Sequence, residues 1–206
     1  MTVLNYKQCV VLVLDDDPRV REALASLLRS ADLQVFTFAS AEELLQAKTP
    51  DLPTCLILDL QLPGVSGLDL QQTLAGLGGP PIVFISGHGD IPSSVRAMQG
   101  GAVEFLPKPF GDGDLFEAID AAIARDVEAR EQRAGVAEMQ RLYARLTSRE
   151  REVFPLIVAG LTNKQSAARL GIAEITLQVH RARIMQKMKA QSVPELVRIA
   201  TRLKRG

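Results

Sequence analysis

With 206 residues, 47% of them apolar, the chain can bury a sizeable core and is long enough for two domains. Lysine and arginine total 24, as do aspartate and glutamate, but residues 1–125 hold 8 basic and 16 acidic groups (−8), residues 126–146 hold 4 of each, and residues 147–206 hold 12 basic and 4 acidic (+8). No apolar run reaches the length of a membrane span, the first residues lack a signal peptide's charged start and apolar centre, and the two cysteines, Cys9 and Cys55, are too few for a disulfide framework or zinc site. The expectation is a reduced, cytoplasmic protein with no membrane partner, whose acidic front and basic back do different jobs, the second on a polyanion.

From Cys9 to Phe110, short apolar runs alternate with amphipathic segments. Strands are predicted at 10–14, 34–38, 55–58, 82–85 and 103–106, and helices at 19–30, 41–47, 68–77 and 92–99, with a fifth starting near Asp112. Five strands alternating with helices imply an α/β fold, a parallel sheet covered on both faces, with all strand carboxyl ends at one edge.

That edge collects chemistry. The first strand ends in Asp15-Asp16-Asp17 and the third, Cys55-Leu56-Ile57-Leu58, in Asp59. The fourth ends in Ser86-Gly87-His88-Gly89, and Lys108-Pro109-Phe110 follows the fifth. Taken alone, Asp59 reads as readily as a helix cap or turn aspartate as it does as a ligand-site carboxylate, and Asp17 reads as the cap of the first helix ahead of Pro18. Together, however, the carboxylates repel one another unless a cation neutralises them, and an all-oxygen set favours Mg²⁺, or Mn²⁺ in its place. A carboxylate beside such an ion can attack a phosphoryl group, with the metal and a lysine offsetting the developing charge.

Residues 9 to about 125 resemble the receiver domain of two-component response regulators. The resemblance rests on Asp15-Asp16, on Asp59 with Leu62-Pro63-Gly64, on Ser86, and on Phe105-Leu106-Pro107-Lys108-Pro109. It implies a flavodoxin-like fold, with Asp59 as phosphoacceptor, and Asp16, Asp59 and the Gln61 backbone carbonyl as Mg²⁺ ligands, Asp15 acting through water. It further implies Ser86 as the switch hydroxyl, Phe105 as the aromatic rotamer switch, Lys108 as the phosphate-pairing lysine and a cis peptide at Pro109. His88 matches no such position.

From Asp112 to Arg145 the pattern predicts a long helix interrupted at Gly135, which costs about 1 kcal/mol relative to Ala in a helix interior. Residues 126–146 read as a helical linker that either pairs with its copy in a dimer or folds back on its own domains. From Thr147 the character changes. Thr147-Ser148-Arg149-Glu150 is a capping-box pattern; Asn163 can cap a short helix ended by Gly171; a longer basic helix starts near Glu174; and Ser192-Val193-Pro194-Glu195 opens the last. A short helix, a glycine turn and a longer basic helix form a helix-turn-helix signature. On the long helix, Leu177, Ile184 and Met188 should face the core, leaving Ile175, Gln178, Val179, Ala182 and Gln186 outward among His180, Arg181, Arg183, Lys187 and Lys189. Such a face suits a DNA groove: apolar atoms meet thymine methyls, Gln178 reads adenine, and cations hold phosphates.

Residues 147–206 also resemble the LuxR-type helix-turn-helix. The supporting runs are Leu146–Val153, Gly160-Leu161-Thr162-Asn163-Lys164, Thr176-Leu177-Gln178-Val179-His180-Arg181, Lys187-Met188 and Glu195–Ala200. With the receiver, nearly the whole chain resembles a FixJ-type transcriptional regulator. The resemblance implies DNA contacts from Asn163, Lys164, Thr176, Gln178, Val179, His180, Arg181, Ala182, Arg183 and Lys187. The chain departs from the family pattern at Ala173, where a serine cap is usual, at Gln178, where lysine is common, and at Ser166, which replaces an aliphatic. The expected function is phosphorylation of Asp59 by a sensor histidine kinase, driving homodimerisation and binding to double-stranded promoter DNA, with RNA polymerase as a further partner. Such a protein catalyses only its own phosphoryl transfer and dephosphorylation. The alternatives are a DNA-binding regulator that needs no phosphorylation and a Mg²⁺-dependent phosphatase using Asp15 and Asp17.

Overall fold

A computed structural model describes residues 8–87 and 91–203, so His88 lies outside the described residues. By contacts within the chain it divides into two compact units at Arg130–Glu131. The first unit contains β1 (Val10–Leu14), α1 (Pro18–Ser30), β2 (Gln34–Phe38), α2 (Ala41–Gln46), β3 (Thr54–Asp59), α3 (Gly67–Gly76), β4 (Ile82–Ser86), α4 (Ile91–Gln99) and β5 (Glu104–Pro107). All five strands are parallel, in the order β2-β1-β3-β4-β5. Every residue of β1, β3 and β4 is buried, which is why these strands read as unbroken apolar runs, whereas the edge strands β2 and β5 expose part of their length. One face packs Val11, Val13, Ile57, Val83 and Ile85 against Leu24, Leu28, Leu115, Ile119 and Ile123; the other packs Leu12, Leu56, Leu58 and Phe84 against Leu44, Leu70, Leu74 and Ala97.

The order in which strands are added to the sheet reverses between β1 and β3, neighbouring parallel strands, so their carboxyl ends flank the crevice where such sheets bind ligands. The elements begin where the local chemistry dictates. Asp17 caps α1, its Oδ1 accepting from the Arg19 amide at 2.8 Å with Pro18 in the first turn, and Ser40 and Ser66 cap α2 and α3.

Helix α5 (Asp112–Ala144) contributes to both units. It runs without a break through Gly135, contrary to the expected interruption. A side chain there would meet nothing within 4 Å, so the glycine serves no close approach; its cost of about 1 kcal/mol is simply outweighed by 32 other helical residues.

The second unit adds α6 (Ser148–Val158), α7 (Asn163–Leu170), α8 (Glu174–Lys187) and α9 (Val193–Leu203) around a core of Leu146, Val153, Ile157, Leu177, Ile184, Met188 and Leu196. Thr147 and Glu150 form the expected capping box. One assignment needs correcting: Thr162, not Asn163, caps α7, in a reciprocal box with Gln165. Gly171, at φ +63°, supplies the left-handed turn into α8, whose cap residue Ala173 makes no side-chain hydrogen bond. No helix among the described residues is long and apolar enough to cross a membrane.

Candidate functional site

At the carboxyl edge of the sheet, β1 delivers Asp15 and Asp16, and β3 delivers Asp59. One carboxylate oxygen from each lies within 4.8 Å of the others. Asp15 is 1% exposed and Asp59 7%, while Asp16 faces solvent. The Lys108 ammonium, carried on the loop after β5, donates to Asp15 Oδ2 at 2.8 Å and to Asp59 Oδ1 at 3.3 Å. Two backbone bonds tie the strand ends together here: Leu60 N–H donates to the Ile85 carbonyl at 3.0 Å, and Lys108 N–H to the Ser86 carbonyl at 2.7 Å. The Lys108–Pro109 peptide is cis.

The electrostatics of this cluster are lopsided. Burial pushes the Asp59 carboxyl above its ordinary value; Lys108 pulls it down, and Asp15 and then Asp16 push it up again. Burial lowers the affinity of Lys108 for its proton, but hydrogen bonding and attraction from Asp15 and Asp59 outweigh this, so its pKa is raised. One ammonium therefore pairs with two of three crowded carboxylates, an arrangement that fits a divalent cation held by oxygen.

Ser86, the last residue of β4, is fully buried, and Phe105 on β5 is half-buried with its ring 6.4 Å from that of Phe84. Gln61 is exposed in the loop leaving β3. Gly67 closes that loop: a Cβ there would stand 2.7 Å from the Asp59 carbonyl, so only glycine lets α3 start against the end of β3. Asp17 is committed to its cap and exposed, which leaves a phosphatase using Asp15 and Asp17 without its second carboxylate.

Three features escaped sequence reasoning. Asp126, 3% exposed on α5, accepts from the Thr54 amide at 2.9 Å and from Arg130 Nε at 2.7 Å, and Arg130 also binds Asp51. This latch holds the amino end of the strand that carries Asp59, but its members lie 72 residues apart, so no local pattern could reveal it. Gln71, buried on α3, donates to the Ala97 carbonyl of α4 at 2.9 Å and lies against Gly100, where a Cβ would meet it at 2.6 Å. In the second unit, Glu150 is 1% exposed and accepts from Lys187 Nζ at 2.6 Å. Burial would raise its pKa, but the Lys187 hydrogen bond and the Thr147 cap lower it below the ordinary value.

That last contact divides the residues expected at DNA. Thr176, Gln178, Val179, Ala182 and Arg183 are exposed along α8, as is Lys164 at the start of α7. Asn163, His180, Arg181 and Lys187 are half-buried. Arg181 donates to Asn163 Oδ1 at 3.1 Å, bracing α8 on α7, as Lys187 braces it on α6. The His180 Nδ1 and Ser166 Oγ atoms are buried without a hydrogen-bond partner among the described residues.

Comparison with known proteins places both units. Residues 11–120 match the family described as response regulator receiver domain, and residues 144–200 the bacterial regulatory proteins of the luxR family. Nodulation protein W of Bradyrhizobium diazoefficiens is 49% identical over 95% of this chain and 87% of its own length. The response regulator protein TodT of Pseudomonas putida is 46% identical over 98% of this chain and 89% of its own length. Among solved structures, the response regulator StyR aligns over 94% of this chain and 98% of its own, with 46% identity and a TM-score of 0.82. Full-length FixJ from B. japonicum covers 96% of this chain and 98% of its own, with 36% identity and a TM-score of 0.54.

Proposed function

The chain belongs to the two-component response regulators that join a receiver domain to a LuxR-type DNA-binding domain, and from that premise we propose that Asp59 is its phosphoacceptor and α8 its DNA-reading helix. The carrying observation is the convergence of Asp15, Asp16, Asp59 and Lys108 from three strands on one crevice.

In this reading the N–P bond of a kinase phosphohistidine breaks as an Asp59 Oδ attacks phosphorus, the electron pair remaining on the imidazole nitrogen. Asp15, Asp16, Asp59 and the Gln61 carbonyl would hold Mg²⁺, or Mn²⁺ in its place. When bound, that ion neutralises charge on the phosphoryl oxygens. Lys108 already spans Asp15 and Asp59, so it needs little reorganisation to pair with a phosphoryl oxygen instead of Asp59 Oδ1. Phosphorylation adds negative charge to a crevice already crowded with carboxylates, which is why the cation and Lys108 are both needed to offset it.

Ser86 and Phe105 then carry the signal. The Ser86 hydroxyl turns toward the phosphoryl group, and the half-buried Phe105 ring follows into the space beside Phe84. The surface built from α4 and β5 changes with them. Here α4 exposes Ile91, Val95 and Met98 on one side, a stripe suited to a homodimer contact. Two copies would present their α8 helices to half-sites on double-stranded promoter DNA, where RNA polymerase is the further partner. Residues 1–125 would act as receiver, 126–146 as linker and 147–206 as output, in the cytoplasm, where the buried Cys9 and Cys55 thiols stay reduced. The only chemistry catalysed is the gain and loss of this one phosphoryl group.

The test is incubation with acetyl phosphate and Mg²⁺ followed by intact-mass and peptide mass spectrometry. One phosphate should appear on the peptide containing Asp59, and none on Asp59→Asn. Equal incorporation by the variant would refute the assignment.

A further inference from the structure

The DNA-reading face of α8 begins with a residue the family resemblance does not call on. Ile175, in the first turn of α8, is 67% exposed, and Val179, one turn on, is 44% exposed. With Ala182 they form an apolar stripe at spacings of four and three, bordered by exposed Gln178 and Arg183. Burying an isoleucine on folding is strongly favourable, and nothing in its own unit covers this one.

The orientation of the stripe is fixed from behind. Leu177, Ile184 and Met188 anchor the opposite face in the core. Arg181 is tied to Asn163 at 3.1 Å and Lys187 to the buried Glu150 at 2.6 Å, so the middle and the carboxyl end of the helix are braced against neighbouring helices. These two cations are therefore spent on holding α8 in place, and the surface that remains for a groove is an apolar stripe flanked by Thr176, Gln178, Arg183 and Gln186. Residues 147–206 nonetheless carry 12 basic against 4 acidic side chains, so the occupant complementary to this unit is a polyanion. In a DNA major groove the apolar group available on a base edge is the thymine C5-methyl.

Resting on the reading of α8 as the DNA-reading helix, we propose that Ile175 is a specificity-determining residue that packs on a thymine methyl, extending the reading by Val179 and Ala182 by one turn. Arg181 and Lys187 are positioning residues rather than phosphate contacts.

The test begins by selecting duplexes from a random pool with the full-length chain in acetyl phosphate and Mg²⁺. Each thymine of the selected site is then replaced in turn by deoxyuridine, which removes only the methyl. For the wild type, one replacement should weaken binding about fourfold, as expected for one buried methyl. In Ile175→Ala, exposed and so not required for folding, that same replacement should have no effect, and re-selection should lose the thymine at that position alone. Lys187→Met combined with Glu150→Gln, which removes the cation without stranding the buried carboxylate, should leave the slope of log affinity against log salt unchanged, whereas Arg183→Met should reduce it by about one. If every thymine tolerates deoxyuridine, or every sensitive position stays sensitive in Ile175→Ala, the inference is overturned while α8 remains the reading helix. If no duplex is selected at all, both readings fall.

Discussion

The two units use buried charge in opposite ways. In the first, carboxylates are gathered at a strand edge with too little positive charge, and burial raises the pKa of Asp59. In the second, a single carboxylate, Glu150, is as little exposed as Asp15, yet its pKa is lowered because Lys187 and the Thr147 cap satisfy it. One cluster holds more carboxylates than its ammonium can pair, which suits the proposed phosphoacceptor site; the other is matched one to one, which suits a scaffold. Burial alone does not separate a site from a scaffold, but the balance of partners does.

The largest effect that bears on this contrast is chemical. Lys108→Met should slow phosphorylation by acetyl phosphate about a hundredfold, the scale of losing one preorganised charge-stabilising donor, while leaving the fold intact by circular dichroism. A variant phosphorylated at the wild-type rate would remove Lys108 from the site.

Stability effects follow. Lys187→Met strands a buried carboxylate and should destabilise residues 131–206 by about 3 kcal/mol in urea melts, whereas Glu150→Gln should cost less, since Lys187 is partly exposed and can reach water. Equal costs would mean that the pair is not buried in the sense described. Asp126→Ala should cost the first unit about 2 kcal/mol by orphaning the Thr54 amide and Arg130, without changing the chemistry at Asp59.

The pH dependence should carry opposite signs. The folded-state pKa of Asp59 exceeds its ordinary value near 3.8, so its ionisation works against folding: the penalty builds as pH rises from there through the raised value, and is absent in acid. Asp59→Asn should therefore stabilise the first unit at neutral pH and flatten that dependence. The folded pKa of Glu150 lies below its ordinary 4.5, so its stabilisation is present above that value and lost as pH falls through the lowered one. Thermal melts of wild type, Asp59→Asn and Glu150→Gln between pH 3 and 7 would reveal both trends; trends of the same sign would break the comparison. The smallest expected effect is that of Ser166→Ala, which removes a buried hydroxyl without a partner and should be neutral or stabilising by up to about 1 kcal/mol.

How far the sequence foretold this structure depended on the range of the interaction. Strands β1, β3 and β4 were legible because burial on both faces forces unbroken apolar runs, and Asp59 stood out as the charge that ends one. The Thr162–Gln165 box is equally local, but Asn163 beside it offers the same capping chemistry, so sequence alone assigns the cap to the wrong one of two neighbours. Position along the chain could not reveal that Asp126 reaches Thr54 or that Lys187 turns inward to Glu150. Basic residues on a DNA-reading helix look alike in sequence, and only a partner in the fold separates Lys187 from Arg183. Continuity through Gly135 was likewise hidden, because a glycine's helix penalty is small beside the rest of a 33-residue helix.

The central claim, that Asp59 controls the DNA-reading unit, is tested most directly by fluorescence anisotropy on a selected duplex, with and without acetyl phosphate and Mg²⁺. Wild type should bind more tightly after phosphorylation, and Asp59→Asn should bind identically in both conditions. An Asp59→Asn protein that still responds to acetyl phosphate, or a phosphorylated wild type that binds no differently, would contradict the account.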